Sequence, residues 1–114
     1  MYQISSLDNS PKQQIKIPLE NNQFLTLYLE YRANQQGWFF NFTYNETTYT
    51  NLRLVTAYNM LRAYRSYLPF GLRCDTIDGL EPTDIDDFST GYAQVYTLTS
   101  EDVEAIEANY YEKI

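Results

Sequence analysis

The chain has 114 residues with 15 acidic and 8 basic side chains, no histidine and one cysteine, so its formal net charge is −7. The length fits one domain with one core, and an acidic chain is repelled by phosphate backbones, so nucleic-acid binding over a broad surface is not expected. Without histidine no histidine-based triad or acid–base pair can form, and the lone cysteine excludes an internal disulfide framework and fits folding in a reducing cytoplasm.

The first part of the chain predicts an arm followed by a strand. Residues 1–12 show little periodicity and contain the turn-like cluster Asp8-Asn9-Ser10-Pro11, so they are interpreted as an N-terminal arm. Residues 13–18 alternate between polar and apolar side chains and predict a strand that ends at Pro18. This strand opens a β domain that is predicted to span residues 13–98.

A long hairpin is the strongest structural signal in the sequence. Residues 24–32 and 38–44 alternate with a period of two, and the polar stretch 33–37 between them predicts a loop. Cross-strand pairs stabilise such a sheet. The side chains predicted to share the buried face are Leu25, Leu27, Leu29, Trp38, Phe40 and Phe42.

The middle of the chain predicts further strands around an ambiguous segment. A turn at Asn45-Glu46 leads into residues 47–50, which are expected to pair back on the strand of Trp38. Residues 58–68 fit a short helical turn or an irregular crossover, because their apolar side chains match both periods. Residues 71–77 and 92–98 predict two more strands, separated by a long acidic loop.

The last segment, residues 99–114, predicts a helix. Thr99 and Asp102 have the spacing of a capping box, and acidic side chains suit the first turn of a helix. An apolar stripe of Val103, Ile106, Tyr110 and Ile114 follows at helical spacing. The stripe can pack on the chain's own sheet or on a neighbouring subunit. The fold class is therefore mainly β, a small antiparallel β-barrel or sandwich with a C-terminal α-helix.

The sequence contains no recognisable catalytic, cofactor or metal motif. Cys74 lies inside a predicted strand, where a small buried side chain is favoured over a nucleophile. The acidic loop lacks the ligand spacing of an EF-hand, so a solvated loop is favoured. Two other classes stay open: a carbohydrate-binding module with Trp38 in an exposed aromatic platform, and a glycosidase-like enzyme with Asp75 and Asp86 facing each other.

Composition also bears on partners and location. The 12 tyrosines, 6 phenylalanines and single tryptophan exceed what so small a domain is expected to bury. Composition alone fits either a tyrosine-rich exposed β surface or surfaces that meet other chains. Neither a membrane-spanning apolar run nor a signal peptide is recognised.

Six short segments follow one another in order along residues 15–98. They are Trp38-Phe39-Phe40-Asn41-Phe42, Leu52-Arg53-Leu54-Val55, Asn59-Met60-Leu61-Arg62-Ala63-Tyr64-Arg65, Gly71-Leu72, Pro82-Thr83-Asp84-Ile85-Asp86-Asp87-Phe88 and Val95-Tyr96-Thr97-Leu98. This order and spacing resembles the small phage baseplate plug family. The turn at Asn45-Glu46 departs from the family's usual Asp-Gly, and residues 1–12 and 100–114 look like additions to the shared part.

The resemblance implies a non-enzymatic structural subunit of a contractile-tail virion, made in the host cytoplasm and without a cofactor. It would sit at the distal end of the tail tube, contact the hub, spike and tube, help to close the channel, and associate with its own copies in a symmetric assembly. We expect the helix, which lies outside the shared part, to be an assembly contact rather than a core element. The predicted partner-interface residues are Tyr64, Arg65, Tyr67, Asp86, Asp87, Phe88, Ile106 and Tyr110.

Overall fold

A computed structural model describes residues 1–111 of the chain. Within these residues, seven strands form two antiparallel sheets, and one α-helix follows the last strand. The elements are β1 (Tyr2–Gln3), β2 (Lys12–Pro18), β3 (Phe24–Arg32), β4 (Gly37–Tyr44), β5 (Thr47–Arg53), β6 (Phe70–Thr76), β7 (Ala93–Thr99) and α1 (Ser100–Tyr110).

Strands β2, β3, β4 and β5 pair in sequence order and form what we call the meander sheet. The predicted hairpin is its centre, with Leu27 opposite Phe42 and Tyr31 opposite Trp38. Asn45 and Glu46 close the next hairpin with positive φ angles of 52° and 68°, as a type I′ turn requires. The predicted pairing of residues 47–50 with the Trp38 strand is confirmed.

Strands β1, β7 and β6 form the second sheet, which we call the terminal sheet because the two ends of the chain build it. The connection after β5 runs along its open edge, where the Met60 N–H donates to the Leu72 carbonyl at 2.6 Å. The Asn59 amide oxygen accepts from the Leu72 N–H at 3.2 Å, and a Cβ at Gly71 would lie only 2.6 Å from that oxygen. A glycine is therefore needed where the connection crosses β6.

The two sheets pack face to face as a sandwich and do not close into a barrel. All six side chains predicted for the inner face of the hairpin are at most 2% exposed, so that prediction is confirmed. Fully burying a large apolar side chain stabilises the fold by roughly 1.5–3 kcal/mol. The terminal sheet contributes its own inner face to this core: Phe70, Leu72, Cys74, Ala93 and Val95.

The N-terminal residues join the terminal sheet. Tyr2 and Gln3 pair with Thr97 and Tyr96 of β7, and the side chain of Ile4 is buried in the core. The segment predicted as an arm is therefore tied to the sandwich at its first residues.

Helix α1 lies on the outer face of the terminal sheet. Thr99 and Asp102 form the predicted capping box, with the Thr99 Oγ1 accepting from the Asp102 N–H at 3.1 Å. Val103 and Ile106 pack against Leu98, whose side chain points away from the main core. The expectation that this stripe is an assembly contact rather than part of the fold is wrong for Val103 and Ile106, because a sheet of the same chain already buries them. Ile114, also assigned to the stripe, lies outside the described residues.

Candidate partner-interface surfaces

The loop 82–88 is fixed against the central hairpin. The Trp38 Nε1 donates to the Asp84 carbonyl at 3.2 Å, and the Tyr31 hydroxyl donates to the Thr83 carbonyl at 2.7 Å. The ring of Phe88 lies 4.9 Å from that of Trp38, measured between centroids. The aromatic side chains at the end of the hairpin therefore position this loop.

Three predicted interface residues of this loop have different roles. The Asp87 carboxylate is 7% exposed and accepts from the Asp84 N–H at 2.9 Å, so it holds the loop conformation. Phe88 is also buried. Asp86 is exposed and accepts a hydrogen bond from Asn9 Nδ2 at 3.3 Å. Of the three, only Asp86 has an exposed side chain.

The segment after Leu61 is joined to α1 by an ion-pair network. The Arg62 guanidinium donates to both carboxylate oxygens of Glu107, at 2.8 and 3.1 Å, and Arg65 approaches the same carboxylate at 3.3 Å. The hydrogen bonds to Glu107 raise the pKa of Arg62. Tyr64 is half-buried against Tyr49, with ring centroids 5.2 Å apart. This network brings the predicted residue Arg65 beside the helix, whereas the predicted residue Tyr64 packs against β5.

The C-terminal end of α1 carries an exposed aromatic stack. Tyr110 is 54% exposed and stacks on Tyr58 with ring centroids 4.0 Å apart, and the Arg73 guanidinium lies 5.1 Å from the Tyr58 ring. Tyr67, two residues after Arg65, is 77% exposed. Ile106, by contrast, lies on the buried face of α1, which packs on the terminal sheet. The predicted residues are thus not in one place: some lie at α1, some at the loop 82–88, and Tyr64 lies against β5.

The cysteine and two of the carboxylates considered as reactive or ligand groups are buried, paired or hydrogen-bonded. Cys74 is fully buried, and burial raises the pKa of its thiol to about 12. Asp75 pairs with Arg73 at 3.0 Å, and Asp78 accepts a hydrogen bond from the Tyr92 hydroxyl that lowers the pKa of Asp78. In residues 1–111 no cluster of three or more metal-ligating side chains is found. A thiol with so high a pKa is a poor nucleophile at neutral pH.

Trp38 does not form the exposed aromatic platform considered for sugar binding. Trp38 is 0% exposed, and its ring is enclosed by Tyr31 and Phe88. Its face belongs to the sandwich core.

No helix in the described part of the chain is long and apolar enough to cross a membrane.

The outer face of the meander sheet is a surface that the sequence reading missed. Phe24 and Tyr28 are 51% and 37% exposed there, and Phe39 lies between two guanidinium groups, with the Arg32 carbon 4.2 Å from its ring centroid. Four of the eight basic residues share this face, whereas its strands carry a single acidic residue, Glu30. The basic residues are Lys12, Lys16, Arg32 and Arg53.

The distribution of charge along the chain is the signal that leads to this face. Seven basic and four acidic residues lie between Met1 and Arg73, whereas one basic and eleven acidic residues follow Arg73. Basic residues at every second or fourth position of alternating strands fall on one face of the sheet. Net charge alone conceals this separation.

Comparison with known proteins identifies the family. No curated protein matches the chain. The family model described as cyanophage baseplate Pam3 plug gp18 matches residues 1–100. The match includes residues 1–12, which the sequence reading regarded as an addition, and ends at Ser100, the first residue of α1. It covers all seven strands and therefore the whole sandwich, and the chain belongs to this family of structural baseplate plug proteins.

Proposed function

We propose that this chain is a non-enzymatic plug subunit that contacts the hub and spike at the distal end of a phage tail tube and helps to close the channel there. It associates with its own copies in a symmetric assembly and is made in the host cytoplasm before incorporation. The family match over residues 1–100 is the observation that carries the proposal. That match supports a structural role in the tail baseplate of the virion.

The structure supports a role in assembly through its exposed side chains. Arg65 and Tyr110 lie at α1, and Tyr67 follows Arg65 by two residues. The exposed parts of these side chains have the aromatic and guanidinium character common in binding hot spots. The buried thiol of Cys74 and the enclosed ring of Trp38 favour a packing role over a catalytic or sugar-binding role. A partner that covers Tyr67 would bury a side chain that the chain itself leaves in water.

The test is reconstitution with the hub and spike proteins of the same phage. The purified chain should co-elute with them in size-exclusion chromatography, and tails assembled without it should show an open channel end by electron microscopy. Tyr67→Ala should leave the melting temperature unchanged and weaken this co-elution, because Tyr67 contributes little to the core. Unchanged co-elution of the Tyr67→Ala protein would remove this side chain from the interface, and failure of the unmodified chain to bind either protein would overturn the proposal.

A further inference from the structure

The two outer faces of the sandwich differ in what covers them. Helix α1 packs on the outer face of the terminal sheet through Val103 and Ile106. Among the described residues, no helix or strand packs on the outer face of the meander sheet, and Phe24 and Tyr28 are exposed on it. A groove of about 360 Å³ runs across this face between β2, β3 and β4.

The uncovered face is basic although the protein is acidic. Its cations surround the aromatic rings: the Lys16 ammonium lies 4.3 Å from the Phe24 centroid, and the Arg53 guanidinium carbon lies 5.2 Å from the Phe39 centroid. We call the surface formed by Lys12, Lys16, Arg32, Arg53 and these rings the basic face. Glu30 forms an ion pair with Arg32 at 3.1 Å and lies opposite Lys12, so one carboxylate faces four cations on these strands. The basic face is thus complementary to an acidic surface.

The opposite side of the same molecule provides such a surface. Glu101 and Glu104 are exposed on α1, on the side turned away from the buried Val103 and Ile106. Glu107 is engaged by Arg62 and Arg65, so it does not belong to this surface. We call Glu101 and Glu104, together with the small exposed side chains of Ala105 and Ala108 between them and the helix end, the acidic helix side.

We infer that the basic face binds the acidic helix side of a second copy of the chain. The inference rests on the self-association in the proposed function and names the two surfaces that make it. Because the surfaces lie on opposite sides of one sandwich, the contact is head-to-tail, and repeated contacts form a ring if the rotation closes. Small alanines on the helix allow it to approach the groove closely, while carboxylates at its edge meet lysine and arginine.

Reciprocal charge exchange tests this contact. Sedimentation velocity should show the unmodified chain associating at about 20 mM salt and dissociating at about 0.5 M, because salt screens the attraction between exposed charges. Lys12→Glu/Lys16→Glu and Glu101→Lys/Glu104→Lys should each weaken association at least about tenfold. An equimolar mixture of the two variants should associate again, because each then offers the charge that the other lacks.

A matched control separates surface placement from net charge. Glu20→Lys/Glu46→Lys changes the net charge as much as Glu101→Lys/Glu104→Lys but alters two turns at one end of the meander sheet, so it should retain association. Circular dichroism melting curves verify that every variant is folded. The inference is overturned if the unmodified chain is monomeric at both salt concentrations, if association survives both double variants, or if their mixture stays monomeric.

Two outcomes separate this inference from the proposed function. If the chain binds hub and spike proteins but its copies do not associate through these surfaces, the plug role stands and the contact is wrong. If short duplex DNA, rather than a second copy, binds the unmodified chain and Lys12→Glu/Lys16→Glu abolishes that binding, the basic face serves nucleic acid and the inference is overturned.

Discussion

The two sheets of this sandwich are built from the chain in opposite ways. The meander sheet uses one continuous stretch, β2 to β5, in which every strand pairs with its neighbour in sequence. The terminal sheet joins β1 at one end of the chain to β6 and β7 near the other. Local pairing reveals itself in the sequence as alternation and turns, whereas pairing over about 90 residues leaves little local trace. The strands of the meander sheet are therefore easier to predict from the sequence than the pairing of the terminal sheet.

The largest expected effect separates the inner from the outer face of the meander sheet. Leu27→Asp places a carboxylate at a position that is 1% exposed, and this costs several kcal/mol, a large part of the total stability of a small domain. The variant should be unfolded by circular dichroism. Tyr28→Asp, one residue along on the exposed face, should remain folded. If both variants melted like the unmodified chain, the assigned register of β3 would be wrong.

The next effect compares one substitution in two settings. Phe88→Ala opens a cavity beside Trp38 and should lower the free energy of unfolding by about 3–4 kcal/mol. Phe24→Ala, on the outer face of the meander sheet, should cost less than about 1 kcal/mol, since it loses only the contact with Lys16 and partial burial. Urea denaturation measures both. Equal losses would show that the loop 82–88 is not anchored through Phe88.

A smaller effect tests how α1 is attached to the terminal sheet. Ile106→Ala should cost about 2 kcal/mol, near the low end for such substitutions, because its cluster with Leu98 and Val103 is small. Glu104→Ala on the exposed side of the same helix should change stability by less than about 0.5 kcal/mol. Thermal melts of the two variants distinguish these outcomes. An unaffected Ile106→Ala protein would restore the interpretation of the helix as an assembly contact.

What the sequence predicts follows from this difference between the sheets. The six inner side chains of the hairpin and the cap at Thr99 were predictable, because period-two alternation and capping are local. The pairing of Tyr2 and Gln3 with β7 was not, since two residues carry no period. Phe88 and Asp87 were assigned to a partner surface because of the family resemblance, yet hydrogen bonds and the ring of Trp38 hold them inside the fold.

The candidate surfaces show the same difference between local patterns, which can be predicted, and contacts between distant elements, which cannot. The sequence reading named residues around α1 and the loop 82–88, of which Arg65, Tyr67, Asp86 and Tyr110 present exposed side chains. It missed the basic face, because its lysines and arginines lie on separate strands that only sheet pairing brings together. Which side chains share a surface depends on how strands and helices pack together, whereas the position of a single strand or helix follows from the pattern of neighbouring residues.

The smallest expected effect concerns the carboxylate that begins α1. Partial burial by itself raises the pKa of Asp102, but hydrogen bonds from the Met1 ammonium, at 2.8 Å, and from the Thr99 N–H, at 3.0 Å, outweigh burial and lower it. The charged form is therefore favoured in the folded state. Its contribution to stability is complete above the ordinary aspartate pKa of about 3.9 and is lost as the pH falls through the lowered value.

Asp102→Asn should remove this pH dependence. At pH 7 the variant should be less stable than the unmodified chain by less than about 1 kcal/mol, because a neutral amide accepts from Thr99 less strongly and interacts less with the helix dipole. The difference should shrink as the pH falls through the lowered pKa of Asp102, since the unmodified carboxylate is then protonated. Urea denaturation at several pH values measures the difference, with Glu101→Gln as a control that removes a charge from the same turn without breaking the cap. A difference that stays constant as the pH falls through the aspartate range would show that the cap does not depend on the charge of Asp102, and that the packing of Val103 and Ile106 and the ion pairs of Glu107 hold α1 without it.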